Sequence, residues 1–128
     1  MISLVLNLEK PKSPKDFVWE NRILIISSSK VESFWFEQNL QKNLNDRKLL
    51  VFYFKGDFLV KTTFQGKVDA GKFLEKLPSK ISNPDRWVLI GLDGGVKFMS
   101  SKSPLPSEIF RIIDAMPMRQ SEIRSTEN

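Results

Sequence analysis

The chain has 128 residues and a formal charge of +5, with 41% hydrophobic and 27% charged residues. This composition is that of one ordinary globular domain and argues against a disordered or multidomain chain. The chain has no cysteine and no histidine, which excludes disulfides, cysteine nucleophiles, serine–histidine–aspartate triads and nearly all zinc, iron or copper sites. We therefore predict no metal and no cofactor, and any enzymology would depend on carboxylates, lysine, tyrosine, serine or threonine.

The first 15 residues are predicted to be an extended, exposed lead-in, because residues 10–15 alternate prolines and serine with lysines. The apolar residues 2–8 lack the basic region and the cleavage site of a signal peptide. A mature protein that had already lost its leader would look the same. The compartment is thus cytoplasmic by default, or periplasmic or secreted if a signal peptide was removed. No stretch approaches the ~20 apolar residues of a membrane span.

A strand, a helix and a second strand are predicted next. Residues 22–27 form a continuous β-branched apolar run, typical of a strand buried on both faces in a parallel sheet. A triple serine ends this run and can cap a helix over residues 31–44. Residues 49–54 give the second buried strand, so this part of the chain has the order of a βαβ unit.

This first helix is predicted to carry two apolar sets on opposite faces. One set recurs every fourth position over residues 36–44, and the other comprises Val31, Phe34 and Trp35, almost directly opposite at 100° per residue. One set must pack on the sheet. The second set, if exposed, is a surface for a protein partner or a homodimer, because monomers seldom leave such clusters open. Alternatively, residues 17–19 fold over it.

The middle of the chain is predicted to hold a turn and a short helix. Residues 55–57 form the turn, and residues 58–64 are compatible with a third strand that closes a hairpin, a point that the pattern leaves open. Residues 69–77 predict a short helix with its phenylalanine and leucines facing the core. Pro78 ends this helix, because the residue before a proline avoids the helical conformation.

A hairpin and a closing helix are predicted in the last third of the chain. Residues 87–92 and 96–99 are expected to pair because the Asp-Gly pair between them supplies the positive φ angles of a tight turn. Pro106 is well placed as the first residue of a helix, whose apolar stripe ends before Pro117. Residues 125–128 are predicted to be a polar tail.

These elements predict an α/β fold of the thioredoxin-like class, with a mixed central sheet, a βαβ unit, a ββ hairpin and a C-terminal helix. Four motifs add a more specific resemblance: FVWENR at residues 17–22, NDR at 45–47, LIGLDGGVK at 89–97 and IDAMPMRQSEIR at 113–124. They are similar to P-DUDES, a peroxiredoxin-like family of small bacterial proteins and of sushi-repeat and coiled-coil-domain-containing matrix proteins. The resemblance covers residues 16–124. It implies a thioredoxin-like domain of unknown function.

The position of the redox cysteine in that superfamily is the first candidate site. It lies between the first strand and the following helix, whose N-terminus lowers the thiol pKa. Ser28, Ser29 and Lys30 stand there in this chain, so we expect no thiol reductase or peroxidase activity. These residues could bind an anion at the helix N-terminus, or simply cap the helix. A serine–lysine hydrolase would also need a Gly-rich elbow, which the sequence lacks.

A second candidate group lies near the C-terminus. Asp114 has guanidinium partners in Arg119 and Arg124. This arrangement could recognise a ligand, or it could form a structural ion pair that pins the tail. Arg22 and Arg47, each just before a buried strand, are likewise expected to tie loops together.

We interpret the chain as a thioredoxin-like domain without redox cysteines that serves as a protein-interaction or ligand-binding module. An enzyme of unrecognised non-thiol type, a reductase or hydrolase, is an alternative, and so is weak binding of polyanions through dispersed lysines. No specific nucleic acid is expected. A partner protein or a second copy would bind through the first helix. The candidate surface comprises Ser28, Ser29, Lys30, Phe34, Trp35, Asp114 and Arg119.

Overall fold

A computed structural model describes residues 10–30, 32–78 and 85–127. Within these residues the strands are β1 Arg22–Ser27, β2 Leu49–Lys55, β3 Phe58–Thr62, β4 Arg86–Ile90 and β5 Val96–Ser100. The α-helices are α1 Gln38–Asp46, α2 Ala70–Leu74, α3 Pro106–Asp114 and α4 Pro117–Glu127. Two short 3-10 helices, Pro14–Phe17 and Ser33–Phe36, precede β1 and α1.

The five strands form one mixed sheet in the order β3-β2-β1-β4-β5. The central strand β1 runs parallel to β2 and antiparallel to β4, while β3 and β5 pair antiparallel at the two edges. The predicted α/β fold class is therefore confirmed, and the arrangement is that of a thioredoxin-like fold. The open question over residues 58–64 is answered by β3, which forms a hairpin with β2 through a turn at Gly56 and Asp57.

Both faces of the sheet are covered, which is why every residue of β1 is buried. Alternate side chains of a strand point to opposite faces, so the apolar runs feed two separate cores. One core lies under α1 and α3 and includes Leu24, Ile26, Trp35, Leu44, Val51, Trp87, Ile109 and Ile113. The other lies under α2 and the first 3-10 helix and includes Phe17, Ile23, Ile25, Phe52, Phe54, Phe73, Val88 and Ile90.

The helix predicted over residues 31–44 is wrong in its first half. The chain forms the 3-10 helix Ser33–Phe36, then passes through an extended Glu37 with φ −72° and ψ 144°, and only then enters α1. Val31 lies outside the described residues. The break changes the direction of the chain, so the faces calculated for one continuous helix do not apply.

The two apolar sets therefore pack on the same core instead of opposing each other. Trp35 is 0% exposed and meets the Phe110 ring edge-on at 6.5 Å between centroids, with Phe34 half-buried beside it. The predicted exposed face at Trp35 is thus wrong. The alternative, a cover made by residues 17–19, is wrong as well, because Phe17 packs on the opposite face of the sheet and Trp19 is exposed.

The predicted lead-in differs from expectation at its end. The backbone of Lys12 accepts a hydrogen bond from Asp69 and donates one to Lys67, each at 2.9 Å, which makes an isolated parallel bridge. Pro14 is buried. Residues 10–15 are therefore not uniformly exposed and unpaired, because this short bridge pulls them onto the segment before α2. Residues 1–9 lie outside the described residues.

The β4–β5 hairpin forms as predicted. Its loop spans residues 91–95, closed by a hydrogen bond of 2.9 Å from the Gly91 amide to the Gly95 carbonyl, with Gly94 at φ +84°. Pro106 is the first residue of α3, also as predicted. None of the helices in the described part of the chain is long and apolar enough to cross a membrane.

The second C-terminal helix was not predicted. Pro117 begins α4 because proline is well suited to the first helical turn, where its missing amide would have no partner. The helix runs to Glu127. Most of the predicted polar tail at residues 125–128 is therefore helical in the structure.

Candidate functional site

A polar cluster forms where β1 ends. Ser28 donates a hydrogen bond from its hydroxyl to Asp85 Oδ1 at 2.8 Å and accepts one from the Lys30 amide at 3.2 Å. The Ser29 amide points to the same carboxylate oxygen at 3.4 Å. The antiparallel register of β1 and β4 explains this meeting, because it pairs the last residue of β1 with the first of β4. The three residues predicted from the sequence do lie together.

In the described part of the chain no helix begins at Ser29 or Lys30, so the predicted capping of a helix by these serines is wrong. Glu32 and Glu37 are the residues that precede the next 3-10 helix and α1, respectively. Ser28 and Ser29 are therefore the N-cap residue of neither element. An anion at this place would have to be held by Lys30 and by local amides alone.

Tyr53 holds the loop after β1 in place through two hydrogen bonds. Its hydroxyl donates to the Lys30 carbonyl at 3.1 Å and accepts from the Glu32 amide at 3.2 Å. Burial raises the pKa of Tyr53 above its usual value, so the hydroxyl keeps the proton that it donates. Sequence reasoning missed Tyr53 and Asp85; the signal for the first is that the only tyrosine of the chain stands within an otherwise apolar run.

The geometry of this cluster does not favour nucleophilic chemistry at Ser28. The Ser28 side chain is buried, and its hydroxyl already donates one hydrogen bond and accepts another. Its base is a carboxylate, which accepts a serine proton far less readily than an imidazole does. Ser29 and Lys30, in contrast, are exposed. The loop therefore presents a hydroxyl and an ammonium group to solvent, while hydrogen bonds to Asp85 and Tyr53 hold it in place.

A second cluster joins the start of β1, the end of α1 and the two C-terminal helices. Asp114 receives both a 3.0 Å and a 2.8 Å bond from Arg47, and a further 3.1 Å bond from Arg119. Arg119 also binds the Asp46 carboxylate at 2.7 Å. Burial opposes the ionisation of Asp114, but the two arginines outweigh it and hold the pKa of this carboxyl below its usual value.

The same network continues to Arg22, which is fully buried. Its guanidinium donates to the Arg47 carbonyl at 2.8 Å and to Glu122 at 3.2 Å. Arg119, with 7% of its side chain exposed, approaches Glu122 at 3.5 Å. Arg124 donates to the Ser121 hydroxyl instead. The geometry thus fits a structural role for Asp114 and Arg119, because their charged atoms already form ion pairs with other side chains of this network.

The seven candidate residues do not form one surface. Ser28 follows the carboxyl end of β1, whereas Arg22 and its network lie at the opposite end. Trp35 lies within a core. Across the described ranges, no three acidic side chains converge in a way that could hold a metal ion.

Comparison with known protein families places the chain in one of them. A family model described as "Domain of unknown function (DUF4174)" covers residues 13–122. No curated protein matches the chain. The matched range begins at Ser13, the first buried residue of the described part of the chain, and ends within α4 at Glu122, so it includes both polar clusters.

Proposed function

This chain belongs to the DUF4174 family, a domain of unknown function, and from that premise we propose that it is a thiol-free binding module with a thioredoxin-like fold. One observation carries the proposal. At the carboxyl end of β1, a buried Ser28 hydroxyl is held by Asp85 while Ser29 and Lys30 face solvent. A position that supports thiol chemistry in redox members of the fold here supports only recognition.

We further infer that the family is the peroxiredoxin-like P-DUDES group. Support for this inference comes from the resemblance of residues 89–97 and 113–124. The first motif contains the loop of the β4–β5 hairpin, and the second contains Asp114, Arg119 and Glu122 of the ion-pair network. Both segments thus have a structural reason to keep their pattern.

Two features argue against thiol-like activation at this loop. A reactive cysteine or serine gains from a helix N-terminus that favours the anion, yet α1 begins only at Gln38. The nearest charged group to the Ser28 hydroxyl is instead the Asp85 carboxylate at 2.8 Å, which disfavours a second negative charge.

The binding surface that we propose is the loop of residues 28–30 at the carboxyl end of β1, beside the carboxyl end of β2. Ligands of open α/β sheets bind at this end, where the direction of the strand order reverses on either side of a central strand. Ser29 and Lys30 supply a hydroxyl and a cation there. Tyr53 and Asp85 hold the loop in place, so little entropy is lost on binding. A protein segment or small polar ligand that presents a carboxylate or carbonyl fits these groups.

An amide-resolved NMR titration tests this proposal. Isotope-labelled protein is screened against a library of small polar fragments and short peptides, and shift changes are mapped onto the chain. We expect hits to move the amides of residues 28–30 and 85, and Lys30→Gln to weaken them while the matched exposed control Lys42→Gln does not. Hits that map elsewhere, or that survive Lys30→Gln unchanged, would contradict the proposal.

A further inference from the structure

A cavity lies at the end of the sheet opposite Ser28. Its volume is about 340 Å³, within the range of sites that hold small ligands. Its walls come from residues 13–18, from residues 72–76 and from residues 90–94. Because the end of β4 pairs with the start of β1, whereas Ser28 follows the end of β1, this cavity is separate from the loop of residues 28–30.

Lysine ammonium groups dominate the rim of this cavity. Lys15, Lys72 and Lys76 line it, against the carboxylate of Glu75 on the same side. Glu75 lies 4.0 Å from Lys72, at the outer limit of an ion pair, and both side chains are more than half exposed. Among the described residues, Lys15 and Lys76 form no ion pair. The lysines on this rim therefore outnumber its carboxylates, with Glu75 offsetting part of the charge of Lys72.

The other acidic groups near the rim are already engaged. Asp93 accepts 2.8 Å and 2.9 Å hydrogen bonds from Lys97 and from the Gly95 amide. Asp16 accepts bonds from both the amide and the hydroxyl of Ser13, at 2.8 Å and 3.2 Å. These contacts offset Asp93 and Asp16 locally, and Asp16 also interacts electrostatically with Lys12 and Lys15.

The floor of the cavity is apolar and preformed. Pro14, Val18 and Ile90 contribute to it. The loop is packed against this floor so closely that a Cβ on Gly94 would lie 2.9 Å from Val18 Cγ2, and Gly94 adopts φ +84°. Only glycine is compatible with this contact and this backbone angle. The loop of residues 91–95 therefore packs closely against Val18 at this wall of the cavity.

Trp19 stands next to this cavity in a strained conformation. It follows Val18, and its amide donates to the Leu92 carbonyl at 2.6 Å, in the loop that forms one wall. Its φ of +69° is rare for a bulky residue, and its side chain is 63% exposed. Strain of this kind persists where the surroundings impose it, and it concentrates at ligand sites.

We propose that this cavity binds a small organic anion, namely an acidic group carried on an apolar body. The acidic group lies against Lys72 and Lys76, and the apolar body lies on Pro14 and Val18. The combination of a cationic rim with an apolar floor excludes a bare inorganic ion as the best fit, because such an ion gains nothing from the floor. This site is independent of the loop of residues 28–30.

The test uses a matched pair of fluorescent probes on the full chain. Anilinonaphthalenesulfonate carries one sulfonate on an apolar aromatic body, and N-phenylnaphthylamine has the same body without the charge. We expect the sulfonate to bind saturably and the neutral probe to bind about tenfold more weakly. The double substitution Lys72→Gln/Lys76→Gln should weaken the sulfonate about tenfold, and added salt should weaken it further.

The control is a charge-matched double variant away from the cavity. Lys42→Gln/Lys102→Gln removes two exposed lysines that do not line it, and it should change the affinity by less than about twofold. Circular dichroism melts establish that both double variants fold. Equal losses in the two variants, an unchanged affinity in Lys72→Gln/Lys76→Gln, or equal binding of the neutral probe would each overturn the proposal.

Discussion

Ser28 shows how the surroundings of one residue decide which chemistry its position allows. We predict that the thiol introduced by Ser28→Cys has a pKa at or above the ordinary value of ~8.5. Burial and the Asp85 carboxylate, 2.8 Å from the present hydroxyl, both disfavour a thiolate, and no helix N-terminus compensates. The pH dependence of alkylation by iodoacetamide measures this value, with Ser29→Cys as the exposed control. A midpoint below ~7, in the range of activated thiols, would contradict the prediction.

Asp114 makes stability depend on pH. Its folded-state pKa is lowered, so its carboxylate contributes stability above the unfolded pKa of ~3.9, and this contribution disappears as the pH falls through the folded value. Asp114→Asn should therefore cost about 1 kcal/mol at neutral pH, a modest figure because the carboxylate is partly exposed. Urea unfolding at pH 7 and at pH 3 measures the difference. A gap between wild type and variant that is equal at both pH values would rule out this account.

Substitution of Trp35 is the best test of whether the 3-10 helix before α1 packs into the core. Because this side chain is fully buried, Trp35→Ser should cost about 3–5 kcal/mol, as large-to-small core substitutions do. Trp35→Phe should cost clearly less, since the Trp35 Nε1 has no hydrogen-bond partner among the described residues. Denaturant melts measure both, and light scattering measures association. A small stability loss in Trp35→Ser together with a changed oligomer distribution would restore the partner surface first predicted from the sequence.

The strands were predictable from the sequence because burial on both faces leaves continuous apolar runs at residues 22–27 and 49–54. The break at Glu37 was not predictable, since the apolar spacing on either side of it also fits one continuous helix. Helix α4 was missed for a different reason. It is largely polar, and ion pairs to Arg22 and Asp46 fix it in place; such partners are far apart in sequence and follow only from the fold.

Only part of the candidate site was predictable from the sequence. The end of β1 located Ser28 and Lys30, because a strand end and a following loop can be read from local pattern. Asp85 and Tyr53 depend on the register of β1 with β4 and β2, which no local pattern contains. The cavity near Trp19 likewise joins three segments that are distant in the chain, so composition revealed its lysines but not their convergence.

The charge of the whole molecule leads to a prediction about polyanions. The net charge of +5 is spread along the chain, and several arginines are spent in the network around Asp114 and Glu122. Binding to duplex DNA or heparin should therefore be weak and fall steeply with salt, as expected for phosphate or sulfate contacts without base recognition. Titrations at low and at physiological salt measure this. Tight binding that survives physiological salt would favour a polyanion as the partner.

We propose that this thioredoxin-like domain acts by binding and not by thiol chemistry. The most direct measurement compares wild type with Ser28→Cys in insulin-reduction and peroxide-consumption assays, with a thioredoxin and a peroxiredoxin as positive controls. Both reactions need an activated thiolate; wild type has no thiol, and in Ser28→Cys the thiol would lie beside Asp85 without a helix N-terminus. We predict that neither protein exceeds background. Turnover by wild type, or efficient turnover by Ser28→Cys, would contradict the claim.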